Sequence, residues 1–361
     1  MARSDVPPAS AELIAPRPGE ELDVARVAAF LAGRLPGSEA PLEIAQFGGG
    51  HANLTYCLHF GSGDARVEYV LRRPPSGPVA PGSHDMGREY RALSVLYRAF
   101  PYAPRAYLYC NDLSVIGAPF FVMERRRGVV VRGAVPACFG GGLDREANRK
   151  LSQVVIDVLA ELHAVDPAPI GLDGLGKDPA RFLERQVRGW TARFERARTG
   201  EIPVADEVAR WLADELPVSP EPTLLHNDWR LDNMAVAEDD PGRCVAVYDW
   251  DMCTLGDPLC DLGTLLSQWA NAGEEGAGFA PMPSTLPGFL TREQAARRYS
   301  ERSGRPLEAF PYYLVFGTFK MAVVLQQIYF RYQRGQTRDE RFAGMGQAAE
   351  QLFRLASHRR P

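Results

Sequence analysis

The sequence predicts an α+β fold in two lobes: a small antiparallel β lobe with one helix packed on it, followed by a larger, mostly α-helical lobe. Three observations carry this expectation. Between residues 41 and 75, strand-like apolar runs are separated by glycine-bearing turns at Gly48–Asn53 and Gly61–Asp64. From about residue 145 the apolar spacing changes to the helical period. The polar stretch "HNDWRLDN", residues 226–233, then interrupts the helical half between two short strand-like runs.

The totals suit such an organisation. A chain of 361 residues is long for one small core, and 45% hydrophobic with 24% charged residues is an ordinary globular composition. The formal net charge of −4 argues against a nucleic-acid partner, which would call for a basic surplus. Cys57, Cys110, Cys138, Cys244, Cys253 and Cys260 show no C-x-x-C pair and no zinc-like Cys/His spacing, so reduced, incidental thiols are expected. The first residues lack the apolar core of a signal peptide, and no run approaches about 18 apolar residues. A soluble, cytoplasmic protein with no membrane partner is the expectation.

The elements follow in order. Residues 1–20, rich in Pro and Ala, read as a disordered tail. In "ELDVARVAAFLAGRL", Leu22, Val27, Phe30 and Leu31 recur at helical spacing. Three antiparallel strands come next, then the helix "SHDMGREYRALSVLYRAF" with Ser83 as N-cap, then the strand "PFFVMERRRG". This gives a first lobe over 21–125 and a second over 126–361. In the second, "ANRKLSQVVIDVLAELHAV" places Leu151, Val154, Val155, Val158, Leu159 and Leu162 on one helical face. "ARFLERQVRGWTARFERAR", "DEVARWLADEL" and "YYLVFGTFKMAVVLQQIYFRYQRG" read as further helices.

The chemistry lies in the interrupting loop. His226, Asp228 and Asn233 stand as H-x-D-x-x-x-x-N, and Asp249 follows 21 residues after Asp228, at the end of an apolar strand. Phosphoryl transfer needs these types in this order: a carboxylate to take the proton of the attacking hydroxyl, then an amide oxygen and a second carboxylate to hold Mg²⁺. Mg²⁺ is a hard ion and takes oxygen ligands.

"HNDWRLDNM…VYDWDMCTLGDPLCDLG" resembles the aminoglycoside phosphotransferase and choline kinase-like family, of protein-kinase-like bilobal fold. "LHAVDP" and "ERQVRGW" resemble the branch that includes the kinase-like domains associated with acyl-CoA dehydrogenases. The resemblance implies Asp228 as catalytic base and Asn233 and Asp249 as Mg²⁺ ligands. It implies Arg72, in "VLRR", at the phosphate-binding cation position, with Glu89 in "REY" as its ion-pair partner. It implies Gly49, Gly50 and Asn53 in the turn that covers the nucleotide, and Met123 and Glu124 at the hinge that bonds adenine. Asp251 is open to a metal, substrate or structural role, and His226, Asp257 and Asp261 are expected to support the loop. His163 reads as a packing residue at a helix end.

Two departures from the family pattern stand out: Asn227 where many relatives have Gly, and Trp229 where many have Tyr. Trp229 is expected to add apolar bulk beside the base and narrow the acceptor site. Arg125, Arg126 and Arg127 read as a solvated strand exit or an anionic-ligand site. The C-terminal helix, with Lys320, Gln327 and Arg331, is basic and aromatic, whereas an aminoglycoside would need an acidic wall. The implied activity is ATP- and Mg²⁺-dependent transfer of the γ-phosphate to a hydroxyl of a small molecule, such as a hydroxy acid or hydroxyacyl thioester. The alternatives are a catalytically silent nucleotide-binding pseudokinase and an aminoglycoside or amino-alcohol kinase. A protein kinase is disfavoured by "DWD" in place of "DFG".

Overall fold

The computed structural model describes residues 12–49, 53–75, 84–274, 282–337 and 339–361. The chain forms two compact units, Met1–Val129 with Val245–Cys253, and Val130–Cys244 with Thr254–Pro361. The segment Val245–Cys253, placed by sequence in the second lobe, therefore belongs to the first.

The first unit is built on an antiparallel sheet. Its strands are β1 (Leu13–Ile14), β2 (Leu42–Phe47), β3 (Leu54–Phe60), β4 (Val67–Arg73), β5 (Ala106–Cys110) and β6 (Phe120–Glu124), in the order β1-β2-β3-β4-β6-β5. The helices are α1 (Val24–Leu31), α2 (Met86–Leu96) and the one-turn α3 (Leu113–Ile116). Strand alternation divides the residues between faces. Tyr56, Leu58 and Phe60 of β3 and Tyr69 and Leu71 of β4 join Val27 and Leu31 of α1 in one buried cluster. Cys57 and His59, and Glu68, Val70 and Arg72, fall on the opposite face.

Three expectations change here. Part of the tail is ordered: Leu13 pairs with Phe47 and Ile14 with Gln46. Asp85, not Ser83, caps α2, its side chain accepting from the Arg88 N–H at 3.0 Å; Ser83 lies outside the described residues. β5 was not foreseen, because "AYLYC" has partly exposed residues at its centre and no clean alternation.

The short strand β7 (Val129–Val130) marks the crossing into the second unit. This unit contains α4 (Arg145–His163), α5 (Phe182–Arg196), α6 (Pro203–Asp214), β8 (Thr223–Leu225), β9 (Met234–Ala237), β10 (Asp240–Val247), β11 (Thr254–Gly256), α7 (Pro258–Ser267), α8 (Arg292–Ser303), α9 (Phe310–Gln333) and α10 (Met345–His358). β10 hairpins back on β9 and carries the chain into the first unit. β11 pairs antiparallel with β8, Leu255 opposite Leu224. Asp144 caps α4 through the Glu146 and Ala147 N–H groups, and the apolar face predicted for α4 is buried.

α9 packs against α7 where Gly263 and Gly317 meet. A methyl group on either would strike the backbone of the other helix, so both positions require glycine. By length and composition α9 could cross a membrane, contrary to the expectation that no run is apolar enough. Tyr313, Phe316, Phe319 and Val323 are buried within the unit, as in a core helix.

Candidate active site

Each unit carries its own group of site residues. In the second, β8 ends at Leu225 and the loop begins with Asn227 at φ +67°. Asn is one of the few residues to tolerate the left-handed region. His226 is fully buried. Its Nδ1 accepts from the Asp228 N–H at 3.3 Å, so it orients the loop as expected. Asn233 donates from Nδ2 to the Asp228 carbonyl at 2.8 Å and to Asp228 Oδ2 at 3.0 Å. This leaves the amide oxygen of Asn233 and Oδ1 of Asp228 for other partners.

The loop is held from beneath by Asp261 on α7. Its Oδ2 accepts from the His226 N–H at 2.7 Å and its Oδ1 from the Asn227 N–H at 2.8 Å. Burial pushes this carboxyl up, but His163 and the His226 N–H outweigh it and hold it below the usual carboxylate value. His163 was expected only to pack. Its Nε2 lies 3.4 Å from Asp261 Oδ2 and its Nδ1 2.7 Å from the Tyr299 hydroxyl. Asp257 serves differently: it caps α7 through the Leu259 N–H at 3.0 Å and accepts from the Tyr313 hydroxyl at 2.6 Å.

Trp229 corrects an expectation. It is buried, and its indole N–H donates to the Val155 carbonyl at 2.9 Å. It packs the loop onto α4 and does not narrow an acceptor site. Lys320, expected only as a basic residue of the C-terminal helix, reaches the loop. Lys320 donates to the Asn227 carbonyl at 3.0 Å and lies 5.7 Å from the Trp190 ring, with Arg193 4.6 Å from that ring. Burial pushes the Lys320 ammonium below its usual value, with Asp228 opposing. No motif marked this residue, which sits within a nearly continuous apolar helix.

In the first unit, Arg72 on β4 is buried between two carboxylates. Its Nε pairs with Glu89 Oε2 of α2 at 3.0 Å, and its Nη2 meets Asp249 Oδ1. Burial opposes the Arg72 charge, but Glu89, Asp249 and Asp251 outweigh it and hold the guanidinium above its usual value. Burial likewise pushes the Glu89 carboxyl well above the carboxylate range, with Arg72 opposing. Glu89 also accepts from the Trp250 N–H at 3.2 Å, fixing the turn that carries Asp249. Asp249 stands at φ +67°, a strained conformation of the kind that clusters at functional sites. Asp251 is half-buried beside this group, and its carbonyl accepts from Arg88 at 3.3 Å.

Among the nucleotide positions, Gly49 is exposed and Gly50 lies outside the described residues. Asn53 is buried, with Oδ1 2.8 Å from His84 Nδ1 and no partner on Nδ2. A buried amide with a spare donor suits a ligand oxygen. Met123 is buried in the sheet opposite Val70 and Ala106. The Glu124 N–H is taken by the Arg105 carbonyl at 2.8 Å, and its side chain by Arg126 at 2.9 Å. The arginines after it are matched by acids: Arg125 with Glu12 at 3.4 Å and Arg127 with Glu68 at 2.6 Å. Arg125 is largely buried and Arg127 exposed.

These features suit a phosphotransferase family of kinase-like fold. The profile of the "Phosphotransferase enzyme family" matches residues 43–298, and the chain belongs to that family. It is 32% identical over 88% of its length to acyl-CoA dehydrogenase family member 10 of Mus musculus, and 35% identical over 83% to family member 11 of Gallus gallus. It spans only 29% and 38% of those proteins. Among solved structures, an aminoglycoside phosphotransferase candidate from Ralstonia eutropha matches with TM-score 0.79 and 28% identity, over 94% of this chain and 98% of that one. Choline kinase from Cryptosporidium parvum matches with TM-score 0.62 and 10% identity, over 93% and 95%, a likeness of fold alone.

Proposed function

We propose that the protein is an ATP- and Mg²⁺-dependent kinase that phosphorylates a hydroxyl of a small molecule. The observation that carries this reading is the Asp228–Asn233 pair. The Asn233 N–H groups hold Asp228 by its carbonyl and Oδ2, which leaves Oδ1 for a hydroxyl proton and the amide oxygen for a hard cation. Asp249, with one oxygen on Arg72, keeps the other for a cation. These donors are all oxygens, as Mg²⁺ requires. When bound, Mg²⁺ would neutralise charge on the transferred phosphate. Asp228 takes the proton of the attacking hydroxyl, Arg72 meets the phosphates with its planar fork, and Asn53 offers its free amide hydrogens to a phosphate oxygen.

The acceptor is proposed to be a hydroxy acid or hydroxyacyl thioester. Lys320 and Arg193 beside Trp190 make the loop's surroundings basic and aromatic, which suits an anionic or polarised acyl group better than a polycation. The relatives named for acyl-CoA dehydrogenases support the same class. A cytoplasmic location is part of the proposal. The test is ATP consumption by wild type and Asp228→Asn across a panel of hydroxy acids, their thioesters and amino alcohols. An acyl substrate turned over by wild type and about 10²–10⁴-fold more slowly by the variant is expected. Turnover of amino alcohols alone would overturn the acceptor class, and ATP binding without turnover of any panel member would overturn the kinase assignment.

A further inference from the structure

On the sheet face bearing Arg72, three side chains of metal-ligand type converge. The Sγ of Cys57 lies 3.9 Å from Nδ1 of His59, and the same Nδ1 lies 3.1 Å from Oε1 of Glu68. All three atoms lie within 4.8 Å of one another. The backbone dictates this meeting. Cys57 and His59 are two apart on β3 and share a face, and the β3–β4 register sets His59 opposite Glu68. Sequence spacing concealed it, because Glu68 arrives from the neighbouring strand.

A single ring nitrogen faces both the thiol and the carboxylate. It can donate to one or accept from the other, but cannot satisfy both. An ion among the three atoms satisfies all of them. With metal–ligand bonds of about 2.0–2.3 Å, tetrahedral geometry sets such atoms roughly 3.4–3.6 Å apart. The observed 3.9 Å and 3.1 Å are within small side-chain movements of that range.

We propose that Cys57, His59 and Glu68 form a binding site for a thiophilic divalent cation of the zinc class, with a fourth position open to water or an anion. The set S, N and O selects a borderline-soft ion and excludes Mg²⁺ as the preferred occupant. Glu68 is held from outside: Arg127 donates to Oε2 at 2.6 Å and leaves Oε1 inward. Such outer bonds orient metal ligands. A cavity of about 320 Å³ lined by Gly63, Arg66, Glu68, Arg125 and Arg127 leads to the carboxylate. On binding, the Cys57 S–H bond breaks, the proton leaves to solvent and the sulfur bonds the ion, so affinity rises with pH. The ion would clamp β3 to β4 about 13 Å along the strand from Arg72, four residues at about 3.3 Å each. The site does not depend on the proposed kinase activity.

The test uses the full chain stripped of metal with chelator and titrated with Co²⁺, a spectroscopic stand-in for zinc. A thiolate-to-cobalt charge-transfer band saturating at one equivalent, with release of a proton and displacement by Zn²⁺, is expected. Cys57→Ser should abolish the band, His59→Gln should weaken Co²⁺ binding about tenfold or more, and Cys138→Ser, which removes the exposed thiol, should leave it unchanged. No band in wild type, or a band that survives in Cys57→Ser, overturns the proposal. If Cys57→Ser fails to fold, a His59→Gln protein with undiminished affinity overturns it equally.

Discussion

Asp261 receives the backbone N–H of His226 at 2.7 Å through a carboxylate that lies 35 residues further along the chain. The loop that carries Asp228 is thus fixed by an acid from α7, which also takes the next N–H, that of Asn227. Replacing Asp261 by Asn leaves one acceptor oxygen for two donors. A buried, charge-assisted hydrogen bond contributes about 2 kcal/mol. Asp261→Asn is expected to lower the free energy of unfolding by about 2 kcal/mol, and to reduce kcat far more than it raises the KM for ATP. Unfolding curves and steady-state kinetics on the purified variant check both.

The left-handed backbone at Asn227 makes a second prediction. Glycine adopts that conformation freely, so Asn227→Gly should retain stability to within about 1 kcal/mol and retain most activity. A β-branched residue is strained there, and Asn227→Val should lose about 1–3 kcal/mol together with turnover. Comparison of the two variants by melting and ATP consumption separates strain from loss of the Asn side chain.

Arg72 is expected to carry two separable roles. Arg72→Met removes the partner of buried Glu89, which then takes up a proton, so the loss is that of a buried hydrogen-bonding partner, about 1–3 kcal/mol. Arg72→Lys keeps the charge but loses the planar fork, so it should recover much of the stability and little of the nucleotide affinity. Calorimetric ATP binding, read beside thermal melting, tests this split.

The buried histidine makes stability depend on pH. Burial lowers the proton affinity of His163 below its ordinary value of 6.5 in the folded state, although Asp261 opposes the shift. Below about pH 6.5 the unfolded chain takes up a proton that the folded chain refuses, so stability falls as pH falls. Above that value the contribution is fully present. The urea midpoint is therefore expected to hold level from pH 8 to 7 and to decline toward pH 5. His163→Gln should flatten part of the decline. The remainder has a source in His59, whose proton affinity burial also lowers.

Much of the fold could be read locally. The strands around Gly48 and Gly61, the apolar face of α4 and the H-x-D-x-x-x-x-N loop all follow from periodicity and turn chemistry within a few residues. β5 could not be read so, because its pairing with β6 and not its own pattern makes it a strand. The cap of α2 shifted to Asp85 for a similar reason. Ser and Asp are equally good caps in sequence, and only the path of the chain selects one.

The sequence by itself determined which residue types could perform phosphoryl transfer and the order in which they occur. Tertiary structure alone decided which of them meet. Arg72 and Asp249 are 177 residues apart, and Lys320 and Asn227 are 93 apart. Trp229 turned inward to the Val155 carbonyl, and Glu68 came to Cys57 and His59 through strand register. The physical reason is range. Backbone preference and side-chain alternation act within a turn or a strand, whereas buried charges and donors find partners only when packing brings distant segments together.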